Sequence, residues 1–197
     1  MLAVVDTGCA NLASVGFAFE RLGARSIITK DADIIRSADH VILPGVGAMP
    51  YAMQALRTRG LVEVLQNLTQ PLMGICLGMQ MLFSGSEEGG AKGLGLLKGR
   101  IEQMDTGDLP SPHMGWNTLE NISDDDPLMA GINQGDYVYF VHSYAAEISE
   151  NTLASSTYGH PFSAIVRRDN IYGCQFHPER SGKVGAQILA NFLKVKP

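Results

Sequence analysis

The 197-residue sequence predicts an α/β fold, an open and mostly parallel sheet flanked by helices, with an antiparallel extension. Three observations predict it. In the first half, short apolar or β-branched runs alternate with helical patterns. In the second half, five apolar runs follow one another, with a hairpin signal at Arg168-Asp169-Asn170. Two glycine-punctuated strings, Pro44-Gly45-Val46-Gly47 and Gly74-Ile75-Cys76-Leu77-Gly78, directly follow apolar runs. That is the rim of a parallel sheet where ligands bind.

The elements follow in order. Residues 2–5 form a first strand; they lack the basic start and long apolar stretch of a signal peptide. A helical stretch over 11–22 ends at Gly23, where a helix-terminating glycine belongs. Residues 26–29 are a β-branched strand, and Asp31-Ala32-Asp33 can cap a short helix. The run 40–43 is a third strand, stopped by the Pro44–Gly47 loop. One helix is expected over 50–68, with Leu56, Val62, Leu65 and Leu68 on its buried face. Residues 71–75 are the fourth strand, leading through Cys76 into a helix over 79–83. Shorter strands are expected at 96–104, 137–141, 152–157, 164–168 and 171–176, and a closing amphipathic helix at 184–193. With no linker, repeat or low-complexity segment, residues 1–197 read as one domain.

Composition excludes several classes of function. The net charge of −5, without a basic cluster, argues against binding nucleic acid through phosphates. No apolar run reaches the length needed to span a bilayer. Three cysteines, Cys9, Cys76 and Cys174, form neither a CxxC pair nor an even framework, which points to a reducing cytoplasm. Cys9 and Cys174 are expected to be small buried residues. The run Asp124-Asp125-Asp126 is expected to be a solvated loop.

The candidate chemistry lies in two strings about a hundred residues apart. Gly74-Ile75-Cys76-Leu77-Gly78 has the form of a nucleophile elbow, a strand-to-helix turn that exposes a reactive side chain. A thiol attacks as its thiolate, and a helix N-terminus lowers the cost of that charge. The N–H of Leu77 would donate to an oxyanion. In Phe176-His177-Pro178-Glu179, positions i and i+2 of an extended segment share a side, so Glu179 can orient His177 toward the thiol. A zinc site from Cys76, His177 and Glu179 would lack any local ligand pair. In Pro44-Gly45-Val46-Gly47 the glycines permit a peptide flip that could present a second oxyanion donor; a plain strand-ending turn is the alternative. The residues alone specify an activated thiol and leave its substrate open.

Gly74-Ile75-Cys76-Leu77-Gly78-Met79-Gln80 together with His177-Pro178-Glu179 resembles the class I (triad) glutamine amidotransferases over nearly the whole chain. The resemblance implies a flavodoxin-like sheet. It also implies a cysteine that attacks the glutamine side-chain amide, forms a glutamyl thioester and releases ammonia. Histidine is the acid and base there, and glutamate orients it. Asp6-Thr7-Gly8 with Asn11, Leu43-Pro44-Gly45-Val46-Gly47, Pro112-His113-Met114-Gly115-Trp116-Asn117 and Phe140-Val141-His142-Ser143-Tyr144 are similar to the glutaminase branch of the imidazole glycerol phosphate synthases of histidine biosynthesis.

That similarity implies a heterodimer with a (β/α)8-barrel cyclase subunit that receives the ammonia and makes imidazole glycerol phosphate and aminoimidazole carboxamide ribonucleotide. No metal or other cofactor is implied. By the same resemblance, Val46, Gly47 and Leu77 would form the oxyanion hole. Gly47, Gln80, Ser143 and Tyr144 would hold glutamine, and Trp116, Asn117, Tyr139 and Arg180 would lie near the partner. Arg180 departs from the lysine often found there, keeping the cation but not the geometry. For Trp116, Tyr139 and Tyr144, packing inside the fold is the alternative. His40, His113 and His160 are assigned no role. The Pro44–Gly47 loop is expected to rest misaligned and to flip when the partner is loaded.

Overall fold

Alternation along the first strand sets the two-faced architecture. In β1 (Leu2–Val5), Leu2 and Val4 join one buried cluster while Ala3 and Val5 join another, so the strand is covered on both sides. A computed structural model describes residues 1–8 and 11–196; the expectation for Cys9 lies outside the described residues. After β1 come α1 (Leu12–Arg21), β2 (Ser26–Thr29), α2 (Ala32–Ser37), β3 (His40–Gly45), α3 (Met49–Thr58) and α4 (Val62–Gln66). Then β4 (Leu72–Cys76) runs without a break into α5 (Leu77–Leu82) and β5 (Phe83–Ser86). The second half supplies β6 (Leu97–Gln103), β7 (His113–Thr118), β8 (Tyr137–His142), β9 (Tyr144–Ala146), β10 (Thr152–Tyr158), β11 (His160–Arg168), β12 (Ile171–Cys174) and α6 (Gly182–Phe192).

Among the described residues, seven strands make the central sheet in the order β10-β11-β12-β4-β3-β1-β2. The five from β12 to β2 are parallel, and β11 and β10 add the antiparallel extension. Val15 and Phe19 of α1 and Ile188 and Phe192 of α6 cover one face. Ile35 of α2, Met53 and Leu56 of α3 and Leu65 of α4 cover the other. A three-stranded sheet, β5-β6-β9, and the β7–β8 ribbon lie outside the central sheet. Among the described residues no helix is long and apolar enough to cross a membrane.

Local signals account for many boundaries. The Asn11 side chain accepts from Ser14 N–H to cap α1, and Asp31 caps α2 through Asp33 and Ile34. The hairpin from β11 to β12 turns on two residues, with Asp169 at φ 54°. Several expectations are corrected. The helix expected over 50–68 is two helices, because the chain turns at Arg59-Gly60 with Gly60 at φ 67°. Strand β3 continues through Pro44 and Gly45, paired only with β4 there. The β1 pairing ends at Ile42, so the missing Pro44 N–H costs no ladder bond on that side. Strand β11 has nine residues rather than a short run. Strands β5, β7 and β9 were not expected at all. Asp126 is not solvated: it is buried, caps Leu128 N–H at 2.8 Å and accepts from Arg167 Nη1 at 2.5 Å.

Candidate active site

The sheet order explains how two distant strings meet. Strands β4 and β12 are parallel neighbours with Ile75 opposite Cys174, so both chains leave the sheet at the same edge. One delivers Cys76 and the other delivers Gln175, Phe176 and His177. Cys76 sits at φ 53°, ψ −112°, a conformation few non-glycine residues adopt, at the junction of β4 and α5. The turn is tight enough to require its glycines. A Cβ on Gly78 would lie 1.7 Å from the Leu43 carbonyl oxygen, and one on Gly74 would lie 2.6 Å from Gly78 and Met79 backbone atoms.

His177 is anchored by its backbone N–H on the Tyr139 carbonyl (3.0 Å). Its Nδ1 meets Glu179 Oε1 at 2.8 Å, and both side chains are almost fully buried, 7% and 3% exposed. Burial works to lower the imidazole pKa, but the neighbouring Cys76 thiol and the Glu179 carboxylate outweigh it and raise the value to about 10. The Cys76 sulfur also lies 3.8 Å from the Val141 carbonyl and 3.9 Å from Gln175 Nε2. Cys174, at the end of β12, is fully buried and its pKa is raised by that burial and by Glu179, which keeps it inert as a thiol.

A cavity of about 290 Å³ opens on Cys76 and His177. Val46, Gly47, Leu77, Gln80, Ser143 and Tyr144 all line it, so every residue expected to form the oxyanion hole or hold substrate is brought to one place. Gly47 holds φ 88°, and Val46 is 42% exposed. A larger cavity, about 480 Å³, lies against β6, β9 and β11, away from the thiol, and carries the exposed His160–Asp105 pair. Volume does not single out the candidate site here; the thiol beside an imidazole–carboxylate pair does.

The other four expected residues stand apart from this cavity. Trp116 is 54% exposed and packs edge-on to Tyr139, with ring centroids 5.9 Å apart. The Arg180 guanidinium lies 5.2 Å from the Tyr139 ring centre, a cation–π contact that continues the row. Asn117 points the other way, as alternation along β7 requires. Its Nδ2 donates to the Thr157 carbonyl at 2.9 Å and to His113 Nε2 at 3.3 Å.

Four residues of the site region were not expected. Gln175 is fully buried and bridges Gln80 to Cys76; its position two before His177 was the available signal. Glu88 lines the cavity and accepts from Met49 N–H at 2.7 Å, fixing the start of α3. His113 and His142 face each other across the β7–β8 ribbon at 2.9 Å. Burial pushes the pKa of His113 down to about 4 and that of His142 to about 3, with His113 and His177 adding to the second shift.

Such a thiol–imidazole–carboxylate array, with a cavity of amino-acid size in front of it, can carry out acyl transfer through a thioester. The family model for glutamine amidotransferase class-I matches residues 3–195. The imidazole glycerol phosphate synthase subunit HisH of Mannheimia succiniciproducens is 51% identical over 193 residues, covering 98% of this chain and 99% of the relative. The protein of the same name from Haemophilus influenzae (strain Rd) is 50% identical over 196 residues, covering 100% and 98%. A solved glutamine amidotransferase structure superposes with a TM-score of 0.76 at 18% identity, covering 98% of this chain and 97% of that one, which is a likeness of fold. The chain belongs to the class-I glutamine amidotransferase family.

Proposed function

We propose that residues 1–197 act as one glutaminase unit that hydrolyses glutamine and passes the ammonia to a cyclase subunit in histidine biosynthesis. The observation that carries the proposal is the buried His177–Glu179 pair, 2.8 Å apart, beside Cys76 at the wall of a cavity of about 290 Å³. About 50% identity to proteins named as subunits of imidazole glycerol phosphate synthase supports the choice of pathway and of partner.

His177 takes the Cys76 thiol proton as the sulfur attacks the carboxamide carbon of glutamine. The oxyanion that forms takes the Leu77 N–H and a second N–H from the Val46–Gly47 segment. His177, held by Glu179, gives a proton to the departing nitrogen, and ammonia leaves with the C–N bond. Water then attacks the glutamyl thioester, His177 takes its proton, the C–S bond breaks and glutamate departs. Gln80, Ser143 and Tyr144 hold the substrate backbone, and the Glu88 carboxylate suits its ammonium group.

Ammonia protonated in bulk water is no nucleophile, so a closed route to the second active site is useful. The Trp116–Tyr139–Arg180 row, exposed at Trp116 and Arg180 and half-buried at Tyr139, with Asn117 behind it, supports docking of a (β/α)8-barrel cyclase as a heterodimer. There ammonia yields imidazole glycerol phosphate and aminoimidazole carboxamide ribonucleotide. Gly47, at φ 88° with open space around it, allows the Val46–Gly47 peptide to flip when the loaded partner binds. Free thiols at Cys76 and Cys174 suit a cytoplasmic setting.

The test is Cys76→Ala, assayed as a complex with the cyclase. Glutamine-dependent product formation should be abolished, and ammonia-dependent formation should remain. A glutamine-analogue diazoketone should add mass at Cys76 of the wild type. Wild-type Cys76 left unlabelled both with and without the cyclase would overturn the glutaminase function.

A further inference from the structure

Two runs of hydrogen bonds, one from the Trp116 strand and one from Gln80 beside Cys76, converge on the Tyr144 carbonyl. The Tyr144 carbonyl can only accept, so His142 Nδ1, 2.9 Å away, carries the proton there. His142 Nε2 must then accept, and the donor is His113 Nδ1 at 2.9 Å. His113 Nε2 in turn accepts from Asn117 Nδ2 at 3.3 Å, whose orientation is set by its donation to the Thr157 carbonyl. On the other side the Tyr144 carbonyl takes a second bond from Gln80 Nε2 at 2.9 Å. Gln80 Nε2 also reaches Gln175 Oε1 at 3.1 Å, and Gln175 Nε2 faces the Cys76 sulfur at 3.9 Å.

The two imidazoles cannot easily turn. His113 is stacked between Phe140 (4.8 Å, 25°) and Tyr158 (4.0 Å, 19°), and His142 packs on Phe162 at 4.9 Å. Both are nearly solvent-free, and a proton added to either ring bond would set two N–H groups against each other. The triad itself uses neither ring. His142 and Tyr144, however, both line the cavity, and the Tyr144 carbonyl holds Gln80 in place.

We propose that His113 and His142 are positioning residues for glutamine, holding the Tyr144 segment and the Gln80–Gln175 amide pair in the geometry of the pocket. What the pocket holds rests on the glutaminase function proposed above; the hydrogen-bond relay does not.

The test uses the complex with the cyclase. His142→Phe keeps the ring but removes both nitrogens, and KM for glutamine should rise about tenfold, as loss of a buried hydrogen bond implies, with kcat changed less than about threefold. His142→Asn places an amide nitrogen where Nδ1 stood and should bring KM back to within about threefold of wild type. A purely structural role would lower the melting temperature without splitting KM from kcat, and the asparagine would not rescue it. Unchanged KM in folded His142→Phe, or a fall in kcat at unchanged KM, would overturn the proposal. Should His142→Phe not fold, His113→Phe removes the donor to His142 and should raise KM in the same sense. Independently of activity, nitrogen NMR of the wild type should show both rings neutral with the proton on Nδ1, coupled through His113 Nδ1–H to His142 Nε2. Any other tautomer overturns the relay. A wild-type complex inert toward glutamine but with this NMR pattern would instead refute the glutaminase function alone.

Discussion

Mild acid should destabilise this protein through two buried histidines. His113 and His142 have folded-state pKa values lowered by burial to about 4 and about 3, from an ordinary 6.5. A lowered value means that the unfolded chain binds the proton first, so stability is complete above pH 6.5 and falls as pH drops through the window below it. At pH 5 each unfolded ring is almost fully protonated and each folded ring almost bare. The cost is about 1.5 pH units at about 1.4 kcal/mol per unit, or about 2 kcal/mol for each ring and about 4 kcal/mol for the pair. His177 works in the opposite sense. Its raised value makes its contribution complete below pH 6.5 and lost only as pH rises toward 10, so between pH 7 and 5 it returns less than about 1 kcal/mol. Against a total of about 5–15 kcal/mol for a typical domain, the pair is a large share. Urea midpoints of wild type and the His113→Phe/His142→Phe double variant, measured from pH 7 to 5, isolate it. The two curves should diverge by about 3–4 kcal/mol. Parallel curves, or His113 or His142 imidazole NMR signals that titrate between pH 7 and 5 in the folded wild type, would refute the reasoning.

Two further outcomes concern the elbow and the triad. Gly78→Ala sets a methyl group 1.7 Å from the Leu43 carbonyl oxygen, so strand β3 or the turn must move. A loss of at least about 3 kcal/mol is expected, read as a fall of roughly 6–12 °C in melting temperature; a change under about 2 °C would contradict the close approach. Glu179→Gln keeps an acceptor for His177 Nδ1 but removes the charge that helps raise the imidazole pKa. The rate of glutamine hydrolysis in the complex should fall by about 10²–10⁴, while use of added ammonia by the partner is unchanged; a loss below tenfold would show that the carboxylate charge is dispensable.

Legibility in the sequence followed the range of the forces involved. The first-half strands, the capped start of α2 and the hairpin after Arg168 were readable because side-chain alternation, an Asp cap and turn residues act within a few positions. The break at Gly60 and the extension of β3 through Pro44 were not. A helical hydrophobic pattern continues across the first, and the second depends on β1 ceasing to pair at Ile42. Strand β7 escaped notice because its alternation mixes exposed Met114 and Trp116 with polar His113 and Asn117, whose partners lie on other strands. Asp126 looked solvated for the same reason: its Arg167 is forty-one residues away.

By itself the sequence determined which atoms are available for chemistry: a thiol between two glycines, an imidazole and a carboxylate two residues apart, and a glycine loop able to turn a peptide. Local sterics impose those features wherever the chain goes. Only the tertiary structure decided that they meet, because parallel pairing of β12 with β4 brings His177 to Cys76. It alone gave Gln175, Glu88, His113 and His142 their places, since a buried polar group must find partners and those partners are chosen by the packing of the whole sheet.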